Sequence, residues 1–368
     1  SITTHPRAMA DVQNMPVTTA AVAKSMPFSV RFGYGLARKL ACTGEREDRM
    51  RLVSISISHY VEKVRWALDT LCISRGDETL YTEDGHLPGM HAAFTVPASG
   101  GVASMTPMLV TRRKGDKAVI WDSSDILSWL CEEYEELAFL YPADIRNEVH
   151  ALEELYDQDL AVPLRRFAYS IILNYPGLAK KIVASELTWI ERLLFPLLLP
   201  ILKKKLSRLI AIDFSKDSTT MDETLTQIVK VFDRVAERLS DGRRYLVGDR
   251  FTAADIAFAS LAYPVAAVLD RETWAVRMPD VDEFPQEYTA RLACLVEHPA
   301  GKFAARIYKE HRHASAPTAE NPVPATVLSR PMRVHWNPTA CYIPKAVVAS
   351  VFIGIGVVAL WGFRCFRS

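Results

Sequence analysis

The sequence predicts an α+β domain followed by an all-helical domain, with one apolar helix close to its C-terminus. Three observations predict this. Between residues 51 and 140, segments of strand period alternate with segments of helix period. From Asp144 to His311, helical spacing dominates and strand signals are few. Ala346 to Phe363 is a run of 18 residues without a charge.

Composition agrees with this plan. The 368 residues are 49% apolar and 24% charged, which suits two globular domains with added segments. A chain disordered throughout, a collagen-like chain and a multi-span membrane protein are excluded. Lys and Arg number 44 against 43 Asp and Glu, a net charge of +1, so no global field marks a nucleic-acid partner. Cys42, Cys72, Cys131, Cys294, Cys341 and Cys365 are scattered and form no CxxC pair. Neither a disulfide scaffold nor a metal site is expected.

Residues 1–50 form a separate N-terminal region. Up to Gly44 it holds Arg7, Lys24, Arg31, Arg38 and Lys39 against Asp11 alone, with abundant Ala, Ser, Thr and Val. That composition is like an organelle transit region, either removed or kept as a mature arm. An organelle membrane is the expected location, mitochondrial in preference to plastid.

The first domain, residues 51–140, opens on Val53, Ile55 and Ile57 alternating with Ser54, Ser56 and Ser58, a strand expected to end near Ser58. Val61, Val64, Leu68 and Leu71 then repeat at helical spacing. Ser58 therefore stands at a helix N-terminus, where backbone N–H groups and the helix dipole favour negative charge. Its hydroxyl either caps the helix or donates to a bound thiolate, and spacing alone leaves the two readings equal. Cys72, at the far end of that helix, reads as core.

Thr106-Pro107-Met108-Leu109-Val110 leads into a second strand, Arg113 to Asp116 turns, and Lys117 to Trp121 returns as a hairpin. Pro107 lacks an N–H, so it belongs at an edge, a bulge or a special turn, with a cis bond as one option. Asp122-Ser123-Ser124-Asp125 follows, and Ile126, Leu127 and Leu130 continue at helical spacing. This second helix start is either ordinary capping or a site for a small zwitterion, its N–H groups taking a carboxylate and the acid an ammonium.

In the second domain, residues 141–313, Thr252 and Asp255 form a capping box flanked by Phe251 and Ile256, placed as a hydrophobic staple. Ile256 to Tyr263 is nearly all apolar and should be central. Trp189 to Ile212 contains Pro196 and Pro200 in a greasy run ending in Lys203-Lys204-Lys205. The prolines argue against a continuous membrane helix. The run reads as core, a pocket wall, an interfacial segment or a docking surface.

Residues 314–345 hold Pro317, Pro322, Pro324, Pro331, Pro338 and Pro344 and read as an extended linker. The segment 346–363 is bounded by Lys345 and Arg364, with Tyr342 and Trp361 at its ends. It reads as one transmembrane helix, with a buried core helix as the alternative. Ala346, Ser350, Gly354 and Gly362 share one face, a hint of a partner in the membrane. Five residues follow it, as in a tail anchor.

Ser58-His59-Tyr60-Val61-Glu62-Lys63-Val64-Arg65, Thr106-Pro107-Met108-Leu109 and Asp122-Ser123, in that order and followed by the capped helix at Thr252, resemble the cytosolic glutathione transferases over residues 51–312. The resemblance implies a thioredoxin-like domain followed by an all-α glutathione-transferase C-terminal domain. It implies glutathione as a substrate, with Ser58 stabilising its thiolate. The Thr106 backbone and Pro107 would hold the cysteinyl part, and Asp122 and Ser123 the γ-glutamyl end. Serine in place of cysteine favours conjugation over thiol exchange. Two positions depart from the family. His59 stands where proline is usual, and reads as a solvated loop residue or one that shifts the neighbouring hydroxyl. Asp122 stands where glutamate is common. The resemblance also implies a homodimer, unless the anchor and the 189–212 run block it.

Three functions fit these features. One is a membrane-anchored glutathione transferase acting on apolar electrophiles. The second is a non-catalytic subunit of an organellar membrane complex. The third, on architecture alone, is a protein similar to the metaxins of the mitochondrial outer membrane.

Overall fold

The computed structural model describes residues 49–316, except 56, 86–90, 92–94, 96–104, 114–115, 185–188, 210–217 and 267–280. The N-terminal region, nearly all of the proline-rich linker and the predicted span 346–363 lie outside the described residues.

The first domain is a four-stranded sheet with two helices. Its elements run β1 (Met50–Ser54), α1 (His59–Arg75), β2 (Tyr81–Gly85), β3 (Met108–Arg113), β4 (Asp116–Trp121) and α2 (Ser123–Glu133). The spatial order is β2-β1-β3-β4. β1 pairs with β2 in parallel and with β3 antiparallel, and β3 pairs with β4 as the predicted hairpin. Parallel pairing of β1 and β2 requires a crossover, and α1 supplies it. Pro107 precedes β3 in a cis peptide bond with Thr106, so the missing N–H falls outside the ladder.

β1 ends at Ser54, four residues before the expected end, and its residues Leu52, Val53 and Ser54 are all buried. Ser54 is buried and donates to Glu83 Oε1 at 2.7 Å. Leu52 joins the main core, whereas Val53 and Met108 pack on the other face of the sheet against Val110, Val119 and Trp121.

The second domain contains α3 (Arg146–Asp159), α4 (Ala161–Ile172), α5 (Pro176–Ala184), α6 (Trp189–Leu209), α7 (Ser218–Leu239), α8 (Ala253–Leu261), the single turn α9 (Tyr263–Ala266), α10 (Gln286–Glu297) and α11 (Pro299–His311). Every residue of α8 is buried, as its apolar sequence predicts. It packs against α1, α3 and α11, so one apolar core crosses both domains. The Asp255 carboxylate accepts from the Thr252 N–H at 2.8 Å and the Leu246 N–H at 2.8 Å, completing the predicted capping box. Phe251 stacks on His311 with ring centroids 4.1 Å apart.

α6 continues through Pro196 and Pro200 as a helix. Both prolines lie on its exposed side, where water can solvate the carbonyls that lose an N–H partner. Phe195, Leu199, Leu202 and Leu206 anchor the other side on α4 and α5. No described helix is long and apolar enough to cross a membrane.

Charge inside the interface between the domains is heavy. α1 is amphipathic in neither sense, because Glu62, Lys63, Arg65 and Asp69 are as buried as its valines and leucines. Arg312, just past α11, is fully buried and donates to Glu62 Oε1 at 2.6 Å and Asp69 Oδ2 at 2.8 Å. Arg65 joins Glu62 at 2.5 Å and Glu83 at 2.6 Å. Burial would raise the Glu62 carboxyl, but Arg312 and Arg65 beside it more than offset this and hold it below the usual range.

Candidate active site

The strand register assembles the predicted residues. Val53 faces Met108 across the β1–β3 pair, and Met108 faces Trp121 across β3–β4. The end of β1, the start of β3 and the end of β4 therefore share one edge of the sheet. Ser58 follows the first, Thr106-Pro107 precedes the second and Asp122-Ser123 follows the third. The N-termini of α1 and α2 lie at that same end, so two sets of unpaired backbone N–H groups point there.

Ser58 is the N-cap residue of α1, yet its side chain makes no capping hydrogen bond. Its carbonyl accepts the Glu62 N–H at 3.0 Å, and its own N–H donates to Ile55 O at 2.8 Å. The backbone is thus fixed while the hydroxyl stays unused among the described residues, which removes capping as its role.

Asp122 does cap. Its Oδ1 accepts the Ser124 N–H at 3.0 Å, and its backbone sits at φ 79°, ψ 134°, in a region that side chains other than glycine rarely occupy. Such strain persists where surrounding structure over-determines it, and it collects at sites that work. Oδ2 of the same carboxylate accepts no described hydrogen bond. Ser123 is buried at the start of α2. Its neighbour Ser124 belongs to the scaffold: it donates to Asp157 Oδ2 at 2.9 Å and accepts from Lys63 Nζ at 2.7 Å. Burial alone would push the Lys63 ammonium down, but Glu153 at 2.9 Å and Asp157 more than offset this and raise it. Lys63 thereby fastens α1 to α2 and α3 directly behind the site.

His59 is a correction. It is buried rather than solvated, and its Nε2 has no partner. Burial, with the Arg165 charge nearby, pushes its pKa down to about 3, so the imidazole is neutral. A cavity of about 40 Å³ opens beside it, bounded by Ser58, His59, Arg165, Tyr169, Tyr263 and Tyr288. Ile57, Ala168, Ile172 and Ile182 supply its apolar wall. The sequence reading missed Arg165. It shares a helix face with Ala168, Tyr169 and Ile172, a signal visible in the spacing, but only the fold shows that this face meets Ser58. Cys72, read as core, is buried, and burial raises its thiol.

A sheet bracketed by two helix N-termini, a cis-proline turn beside them and a helical domain packed on α1 define a thioredoxin-like domain joined to an all-helical one. The chain belongs to the glutathione S-transferase family. Residues 52–138 match the glutathione S-transferase N-terminal domain and residues 191–291 the C-terminal domain, together about half of the chain. No curated protein sequence matches it. Among solved structures it is similar to Ure2p in complex with glutathione, at 14% identity over 72% of this chain and 95% of that one, with a TM-score of 0.42. It is similar to Ure2p5 from Phanerochaete chrysosporium, cocrystallised with 1-(S-glutathionyl)-2,4-dinitrobenzene, at 16% identity over 72% and 97%, TM-score 0.40. A glutathione transferase from Pseudomonas putida with glutathione disulfide bound is 14% identical over 74% and 97%, TM-score 0.41. These likenesses are weak, and family membership rests on the two domain matches.

Proposed function

We propose that the protein binds glutathione along the sheet edge and conjugates it through its sulfur to apolar electrophiles. The observation that carries this is the register, which gathers Ser58, Thr106-Pro107 and Asp122-Ser123 at one end of the sheet. The free Oδ2 of Asp122 suits an ammonium, and the α2 N-terminus beside it suits the neighbouring carboxylate. The turn before β3 offers backbone groups to the cysteinyl part. The Ser58 hydroxyl then donates to sulfur, so the thiol loses its proton to solvent more readily. The thiolate attacks the electrophilic carbon, a C–S bond forms, and the leaving group departs with its electron pair. Donation to sulfur is strongest while sulfur carries charge, which is how a single hydroxyl accelerates the step.

The test is calorimetry with glutathione on the full chain, beside Asp122→Ala and Ser58→Ala, with turnover on 1-chloro-2,4-dinitrobenzene. Asp122→Ala should weaken glutathione about tenfold or more, the weight of one charge-assisted contact. Ser58→Ala should leave affinity nearly unchanged and lower kcat by about 10²–10³. A folded wild-type chain that binds no glutathione would end this reading.

A second reading, a non-catalytic subunit of a membrane complex, is favoured by one observation. Leu193, Leu197 and Ile201 are 62%, 71% and 65% exposed and recur every four residues along α6. A single apolar row left open on a helix is a common mark of a docking face. The segment 346–363 would tether either form to its membrane.

A further inference from the structure

The cavity beside Ser58 contains polar groups that the fold does not satisfy. Ser58 has an unused hydroxyl, His59 a buried Nε2 without a partner and Arg165 a buried Nε without a partner. Buried polar atoms in folded proteins are nearly always paired, and those left over at one cavity call for a ligand or ordered water. The first-turn N–H groups of α1 are open towards the same place. No carboxylate borders the cavity. Asp157, whose backbone carbonyl accepts from Tyr60, has its carboxylate held by Lys63 and Ser124. Arg165 forms no described ion pair, and its guanidinium lies 5.8 Å from the Tyr60 ring centroid. The lining is one guanidinium, a serine hydroxyl, tyrosine hydroxyls and a neutral imidazole at a helix N-terminus, facing a space for about two or three waters. That chemistry selects a small anionic centre.

We propose that Arg165 is a second catalytic residue that stabilises the glutathione thiolate from the helical domain, opposite the Ser58 hydroxyl. This rests on the glutathione reading above. Ser58 and Arg165 line the same space, so a sulfur lodged there meets both. The step is a proton equilibrium: the thiol proton goes to solvent and sulfur keeps its electron pair. A desolvated guanidinium lowers the cost of that charge more than a hydroxyl dipole does. Of the titratable groups at the cavity, His59, Tyr60, Tyr169 and Tyr288 stay silent between pH 6 and 9. His59 is already neutral, burial raises Tyr169 and Tyr288, and Tyr60 is pushed up to about 12 by burial, with Arg165 opposing. A transition in that range therefore reports the bound thiol.

The experiment titrates thiolate absorbance of glutathione bound to the full chain, in wild type, Arg165→Gln, Arg165→Lys and Ser58→Ala. Affinity for S-methylglutathione, which forms no thiolate, is measured beside it. In wild type the bound thiol should titrate at least one unit below free glutathione. Arg165→Gln should raise it by about one unit, a tenfold loss of thiolate at neutral pH. Arg165→Lys should keep most of the depression, and S-methylglutathione affinity should stay within twofold in all variants. An unchanged thiol pKa in Arg165→Gln, with Ser58→Ala shifted, would overturn the role of Arg165 and leave the glutathione reading standing. Equal loss of S-methylglutathione binding would also overturn it, by showing a merely structural part. A folded wild type that binds neither peptide removes both the proposed function and this inference.

Discussion

His59 shows how one side chain sets a pH dependence. Its native pKa of about 3 lies below the unfolded value of 6.5. Protons therefore bind the unfolded chain preferentially, and stability present above pH 6.5 is lost as pH falls towards 3. At pH 5 the loss is about 2 kcal/mol. His311, pushed down to about 4 by burial, acts in the same direction. Asp255 acts in the opposite one. Burial raises it to about 6, above its unfolded value, so its penalty is in place at neutral pH and is relieved as pH falls through 6. Thermal melts at pH 7 and pH 5 separate these terms. His59→Gln should lose about 2 kcal/mol less than wild type on that acidification, and an equal loss in both chains would contradict the burial argument. At this scale the sequence was informative where a residue's role is local. Ser58, Pro107 and Asp122 each follow from a change of period, a missing N–H or a helix start. His59 and Arg165 depend on which helix of the second domain lies over the first turn of α1, and no local pattern carries that.

Among the elements, α1 and α11 are joined by charge rather than by grease alone. Arg312 is fully buried between Glu62 and Asp69, and its guanidinium lies 5.6 Å from the centroid of the Trp66 ring. The Trp66 Nε1–H donates to His311 O at 3.2 Å. Removing one partner of a buried pair strands the others, at a cost of about 3–5 kcal/mol. Arg312→Leu should lower stability by that amount in chemical denaturation. Adding Asp69→Asn should recover a large part of it, because the stranded carboxylate goes too, whereas Glu62 keeps its pair with Arg65. No recovery would mean that packing, not charge, dominates the contact. Close approach matters beside it. A Cβ on Gly301 would fall 2.0 Å from Leu295 O, so Gly301→Ala must push α11 away from the end of α10. The helix periods of α1 and α8 were readable because their apolar residues face a core. In α6 both prolines lie on the exposed face, where freed carbonyls meet water and the helix survives.

For the whole molecule, the two domains share one core through α8, and two apolar features bear on a membrane: the exposed row on α6 and, from its sequence, the proposed span 346–363. They make different demands. A helix of 18 residues is about 27 Å long, close to the hydrocarbon thickness of a bilayer, and the run carries no charge. The row on α6 covers one side only, its other side being fixed to α4 and α5, and Lys204 beside it is exposed. It can lie against a surface but cannot cross one. Alkaline extraction of membranes from cells expressing the chain distinguishes these. The full chain should stay in the pellet, and a chain ending at Lys345 should move to the supernatant. Replacing Leu193, Leu197 and Ile201 with Gln in the full chain should leave it in the pellet. It should change stability by no more than about 0.5 kcal/mol, since those side chains are already exposed, whereas Phe195→Ala on the buried side should cost about 3–5 kcal/mol. A shortened chain that still resists extraction would assign the hold to the α6 face instead. A full chain that is freely extracted would reject the span itself.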